Sequence, residues 1–125
     1  MSRIIVLSSD GKKAPVPEHG EEAAGGNVLA GPIRTTTWNH WAGENNRLTC
    51  GIWEATPGTW KIAYQEWEFC HILHGKVILT NEAGESWTLT KGDGFVIPPG
   101  FTGTWETVET VRKHYVILLP APPQG

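Results

Sequence analysis

Residues 92–105 read GDGFVIPPGFTGTW, and the punctuation of this stretch decides the fold. Gly92-Asp93-Gly94 is a turn signal that runs into a short apolar segment. Pro98-Pro99-Gly100 stops that segment, and a second aromatic-rich one follows. Turn, strand, turn, strand within so few residues leaves no room for a helix.

The same rhythm extends in both directions. Upstream, 48–55 (LTCGIWEA) is a strand and 56–58 a turn, and 59–68 (TWKIAYQEWE) alternates with period two. Residues 69–80 (FCHILHGKVILT) read as two strands split at His74-Gly75, and 81–85 (NEAGE) as the turn of a hairpin. Downstream, 102–108 and 109–119 read as the closing strands. Residues 35–48 alternate poorly, as expected of an edge strand or a segment lying outside the sheet. Residues 8–32, rich in Gly and Pro, read as an arm or extended loop. Eight or so short strands at regular spacing predict an all-β sandwich or barrel in a single domain. The expected division is an N-terminal strand and arm at 1–34, a barrel at 35–120 and a tail at 121–125.

Composition supports this and excludes several functions. The chain has 125 residues, with seven tryptophans (38, 41, 53, 60, 67, 87 and 105), fifteen glycines and nine prolines. Ten Lys and Arg stand against thirteen Asp and Glu, scattered except for Arg112-Lys113-His114. No basic stripe marks a nucleic-acid partner. The N-terminal apolar run is too short for a leader or a membrane span. Cys50 and Cys70 lack the spacing of a zinc site or a disulfide framework, so reduced thiols in the cytoplasm are expected.

The turns resemble the cupin family, whose second motif is G-x5-P-x-G-x2-H-x3-N. Gly92, Pro98 and Gly100 fit it without a gap, and Glu68 and Gly75 fit the second half of the first motif, G-x5-H-x-H-x3,4-E-x6-G. With PGTW at 57–60 and VRKHYVI at 111–117, the branch is similar to the cupin domain of (S)-ureidoglycine aminohydrolase, also known as DUF861 or Cupin_3. The resemblance implies a cupin-type antiparallel jelly-roll β-barrel, with an N-terminal arm ahead of it. In that family two histidines and the glutamate of motif one, with the histidine of motif two, hold a divalent metal. Here Gly103 stands in the motif-two histidine slot and Thr107 in the asparagine slot. The motif-one histidine slots hold Ile62 and Tyr64 counted back from Glu68, or Tyr64 and Glu66 counted forward from Gly58. One carboxylate cannot bind a transition metal usefully alone. No cofactor is therefore expected, beyond a weakly held divalent metal at Glu68.

Even positions from Tyr64 to Ile72 share one face of a strand, which the resemblance points into the barrel. A carboxylate there needs partners, so Glu68 is either a catalytic or anchoring group or a bonded structural relic. Tyr64 and Lys113 are the other candidate catalytic groups, and Trp53, Glu66, Trp105 and Tyr115 the candidate substrate contacts. The last strand leaves two parities open: Lys113 and Tyr115 inside, or His114 inside. The first is preferred because the second buries Arg112. His71 and His74 face opposite sides and cannot share a metal. Cys70 reads as a small buried hydrophobe.

The functional expectation is a small-molecule-binding cupin, or a metal-independent enzyme, acting on a ureido-, amino- or keto-acid-like metabolite. A non-catalytic sensing or accessory module and a structural module with a filled barrel are the alternatives. A small-molecule ligand is the expected partner, with no nucleic acid and no membrane. A homodimer is expected because Phe69, His71 and Leu73 form an outer face that needs cover.

Overall fold

The computed structural model describes residues 3–9, 14–22 and 27–121 and contains nine strands and no helix among them. These are β1 (Glu18–Glu22), β2 (Val28–Ala30), β3 (Ile33–Gly43), β4 (Leu48–Ala55), β5 (Gly58–Ala63), β6 (Trp67–Asn81), β7 (Ser86–Thr90), β8 (Gly94–Ile97) and β9 (Thr102–Leu118). No helix in the described residues is long and apolar enough to cross a membrane.

Every pairing is antiparallel, and the architecture follows from two long strands. Along one edge, β9 pairs with β5 over its first half and with β4 over its second. Its other edge pairs with β6, which in turn carries β8 on its first half and β7 on its second. The result is two curled layers, β1-β3-β4-β9-β6-β8 and β2-β5-β9-β6-β7, that share β6 and β9. This is the jelly-roll that the cupin resemblance implies.

Residues 102–118 form one strand where two were expected, 59–68 is broken at 64–66, and three further features differ from the expected strand plan. His74-Gly75 does not split β6. Instead the β6–β9 register shifts repeatedly between Ile72 and Val77, and the strand bends through a bulge. Gly75 permits this with φ 94° and with its α-carbon lying against the backbone of Thr110, whose oxygen would be 2.2 Å from any Cβ. Second, β3 is an interior strand, because β1 covers its outer edge. Third, the stretch read as an arm or loop supplies β1 and β2, and Val28 reaches the core. Residues 10–13 and 23–26 of that stretch, and 122–125 of the tail, lie outside the described residues. The beginning of the arm docks on the outer face, where Ser8 N–H donates to His40 Nε2 (2.8 Å) and Arg112 Nη1 to Ser9 Oγ (2.8 Å).

Alternation settles which side chains enter the barrel. On β6, Glu68, Cys70 and Ile72 are buried while Phe69 is exposed. On β9, Trp105, Thr107, Val111, Lys113 and Tyr115 are buried, so the odd positions face in. Arg112 and His114 lie on the outer face. There Arg112 Nε donates to Glu54 (2.8 Å) and His114 Nδ1 faces His71 Nδ1 across the strand pair (3.4 Å).

Candidate functional site

The stretch at 92–105 positions the site, and among its residues Trp105 alone lines it. The Gly92–Gly94 turn clips β6 at Ile72, where its bulge begins: Gly92 N–H donates to Ile72 C=O (2.9 Å), and Ile72 N–H donates to Asp93 C=O (3.0 Å). The proline turn clips the chain just before β6: Gly100 N–H donates to Tyr64 C=O (2.7 Å), and Tyr64 N–H to Phe101 C=O (2.8 Å). Gly100 reaches this geometry at φ 92°. Between the two clips lie Glu68 and Cys70, with Tyr64 held in the second.

The site is laid out in transverse rows, because antiparallel register places inward side chains side by side. One row runs Glu18, Thr37, Trp53, Lys113 across β1, β3, β4 and β9. The next runs Asn39, Gly51, Tyr115, Cys70. Gly51 has no side chain to obstruct the row, so the Tyr115 phenol passes over it and donates to Asn39 Oδ1 (2.6 Å). A third row runs Thr49, Ile117, Glu68.

At the deep end Lys113 Nζ donates to Glu68 Oε2 (3.0 Å) and to Cys70 Sγ (3.4 Å), and Tyr64 Oη donates to Glu68 Oε1 (2.7 Å). Glu68 is 3 % exposed and Lys113 4 %. The same ammonium lies 4.7 Å from the Trp53 ring centre and 4.6 Å from that of Trp105, so two indole faces help solvate it. Trp105 is held by its Nε1–H to Thr107 Oγ1 (2.9 Å), stacks against Trp60 and stands edge-on to Trp53. Beside this cluster a cavity of about 420 Å³ opens to solvent, lined on one wall by Trp53, Trp60 and Trp105. The tryptophans therefore line the barrel without filling it.

Burial sets the protonation of the cluster. It pushes the Cys70 thiol from 9.0 up to about 12, against the pull of the Lys113 ammonium. Burial, then the Glu68 carboxylate, holds the Tyr64 phenol far above its ordinary value. For Lys113, burial works against the charge, but Cys70 and Glu68 outweigh it and raise the amine above 10.5. Each group keeps its proton in the fold at a pH where the unfolded chain has lost it. The native state then binds more protons, so stability is full below about pH 9 and falls as pH rises toward about 12. A urea series extending to about pH 11 should show this decline, and Cys70→Ala should make it shallower above about pH 9, where Cys50, also raised by burial, still contributes. A decline equally steep in Cys70→Ala would remove the Cys70 thiol from this account.

The structure brings together Tyr64, Glu68, Lys113, Trp53, Trp105 and Tyr115 around one cavity. Glu66 is not among them. A bend at 65–66 interrupts the alternation expected of 59–68, and Glu66 accepts from the Gln65 backbone N–H (3.0 Å) instead. Glu18, Thr37, Asn39 and Thr49 also line the cavity and carry no motif; their signal is the register of β1, β3 and β4. Among the described residues no group of three or more His, Cys, Asp or Glu could hold a metal. The donors do not suit one in either register: Ile62 and Gly103 offer none, Glu66 lies outside the cavity, Tyr64 keeps its proton, and an ammonium already binds Glu68.

The profile of the EutQ-like cupin domain matches residues 42–115. The chain belongs to this cupin family. Among solved structures, a DUF861 protein of unknown function from Pseudomonas syringae pv. tomato superposes with TM-score 0.74 at 21 % identity, over 82 % of this chain and 44 % of that one. This cupin thus spans less than half the length of that relative. A DUF861 protein from Thermotoga maritima is 41 % identical over 51 % of this chain and 73 % of its own, with TM-score 0.50. The Clostridium difficile EutQ protein shares the fold at TM-score 0.61 and 21 % identity, over 69 % of this chain and 63 % of its own. No match was found among curated proteins.

Proposed function

We propose that this cupin binds a small polar metabolite of the ureido-, amino- or keto-acid kind in the cavity beside Glu68 and Lys113, without a transition metal. The observation that carries the reading is an open cavity of about 420 Å³, in the size range of small-ligand pockets, whose deep end is a buried ion pair. The bonded ion pair also favours binding over turnover. Both Glu68 oxygens accept from protein donors and Lys113 stays protonated, so neither serves as a free base. A non-catalytic sensing or accessory role therefore ranks beside the enzyme reading, with Tyr64, Glu68 and Lys113 as electrostatic anchors. The ureidoglycine reaction itself is set aside, since the family resemblance ties it to a metal whose ligand slots here hold Gly103 and either Ile62 and Tyr64 or Tyr64 and Glu66.

The test is a thermal-shift screen of ureido, amino and keto acids together with small amines. A ligand at about a hundred times its Kd adds about 2.7 kcal/mol, a rise of several degrees. The rise should vanish in Thr49→Phe, which plugs the cavity wall without touching the ion pair. No hit from any class would sink the ligand-site reading and leave a structural module.

We place the protein in the cytoplasm, where Cys50 and Cys70 stay the free thiols they are in the fold. A homodimer is proposed as well, supported by Phe69, Val96 and Leu118, which expose 36 %, 46 % and 38 % of their surface. Light scattering at micromolar concentration should give twice the chain mass, and a monomer would refute it.

A further inference from the structure

We infer that the cavity takes a small organic cation, an amine or quaternary ammonium carried on a compact apolar body. The inference rests on the cavity being a ligand site and narrows the amino class proposed above to compounds that carry positive charge without a carboxylate.

The first argument is the balance of charge. Two carboxylates, Glu18 and Glu68, line the cavity against a single ammonium, Lys113. Lys113 has nothing left to offer an anion: it donates to Glu68 and Cys70, and its remaining surface lies against the faces of Trp53 and Trp105. No other Lys, Arg or His lines the cavity among the described residues. An anionic ligand would find no free cation and two like charges.

The second argument is Glu18. It is exposed at the mouth, and among the described residues no basic group pairs with it, whereas Glu21 on the same strand is bound to Arg34 (3.2 Å). Glu18 and Lys113 end the same transverse row, separated by Thr37 and Trp53. Lys113 is itself paired with Glu68 (3.0 Å), so a cation near Glu18 faces a neutral pair and not a free ammonium.

The third argument is the aromatic wall. Indole faces attract cations, and the two that hold Lys113 already do so. Trp60 lines the same cavity and holds no cation among the described residues. An apolar body lying along Trp60 and Trp53 with its charge toward Glu18 satisfies each surface.

The test uses the full chain at low salt and three probes with one aromatic body: benzyltrimethylammonium, benzyl alcohol and phenylacetate. Tryptophan fluorescence or calorimetry should show the cation binding about tenfold tighter than the alcohol. Glu18→Gln should weaken the cation about three- to tenfold and leave the alcohol unchanged. Glu21→Gln, outside the cavity, should alter neither. Alcohol or phenylacetate binding as tightly as the cation would overturn the inference while leaving the cavity a ligand site. A cation preference indifferent to Glu18→Gln would overturn it too, as would no binding by any probe. Whether the cavity binds ligands at all is then decided separately by the metabolite screen and Thr49→Phe.

Discussion

Glu68→Gln should lower stability by about 3–5 kcal/mol, because it leaves the Lys113 ammonium buried without a counter-charge. For a chain of this size that is a fall in Tm of roughly 10–20 °C. The amide still accepts a hydrogen bond from Lys113 or Tyr64, so the loss is one of charge rather than shape. Lys113→Met should do comparable damage by stranding the carboxylate. Combining the two should recover most of it, since a buried ion pair replaced by neutral groups of similar volume is often close to neutral. A single-variant loss below about 1 kcal/mol would mean that water reaches the pair, and the buried pair would no longer describe the solution state.

The second large effect concerns the motif-two histidine slot. Gly103→His restores the family residue, yet it should cost about 3 kcal/mol or more and create no metal site. A Cβ at Gly103 would lie 1.9 Å from the backbone oxygen of Thr80 and 2.9 Å from Asn81 Cα. Both belong to the paired strand β6, so neither can rotate away. Gly103 also lines a different cavity, with Lys61 and Thr80, and not the one beside Glu68. A variant of native stability that bound nickel or cobalt, and lost it on Glu68→Gln, would refute this.

The legible parts of the chain were those with strong local punctuation. The glycine and proline turns at 92–94 and 98–100 fixed the β class, because their backbone requirements do not depend on distant contacts. The inward face of β9 was favoured, not fixed, by a single energetic asymmetry, the cost of burying Arg112. The partners of Glu68 were half legible: Tyr64 and Lys113 were singled out, but the parity of the last strand stayed open. Glu66 misled because period two was carried through a bend that no glycine or proline announces. Glu18, Thr37 and Asn39 were invisible for a different reason. They reach the cavity only through the pairing of β1 with β3 and β3 with β4, and register is a property of pairs of strands.

The two long strands shared by both layers have a dynamic consequence. Neither layer can open while the other stays folded, since β6 and β9 would have to break their ladder within both. The chain should therefore behave as a single cooperative unit, without a weaker sub-domain. Amide exchange offers the measure: the protons of Cys70 and Tyr115, mid-ladder beside the site, should exchange only by complete unfolding. A ligand seated there would then slow exchange across both layers at once, far from any atom it touches.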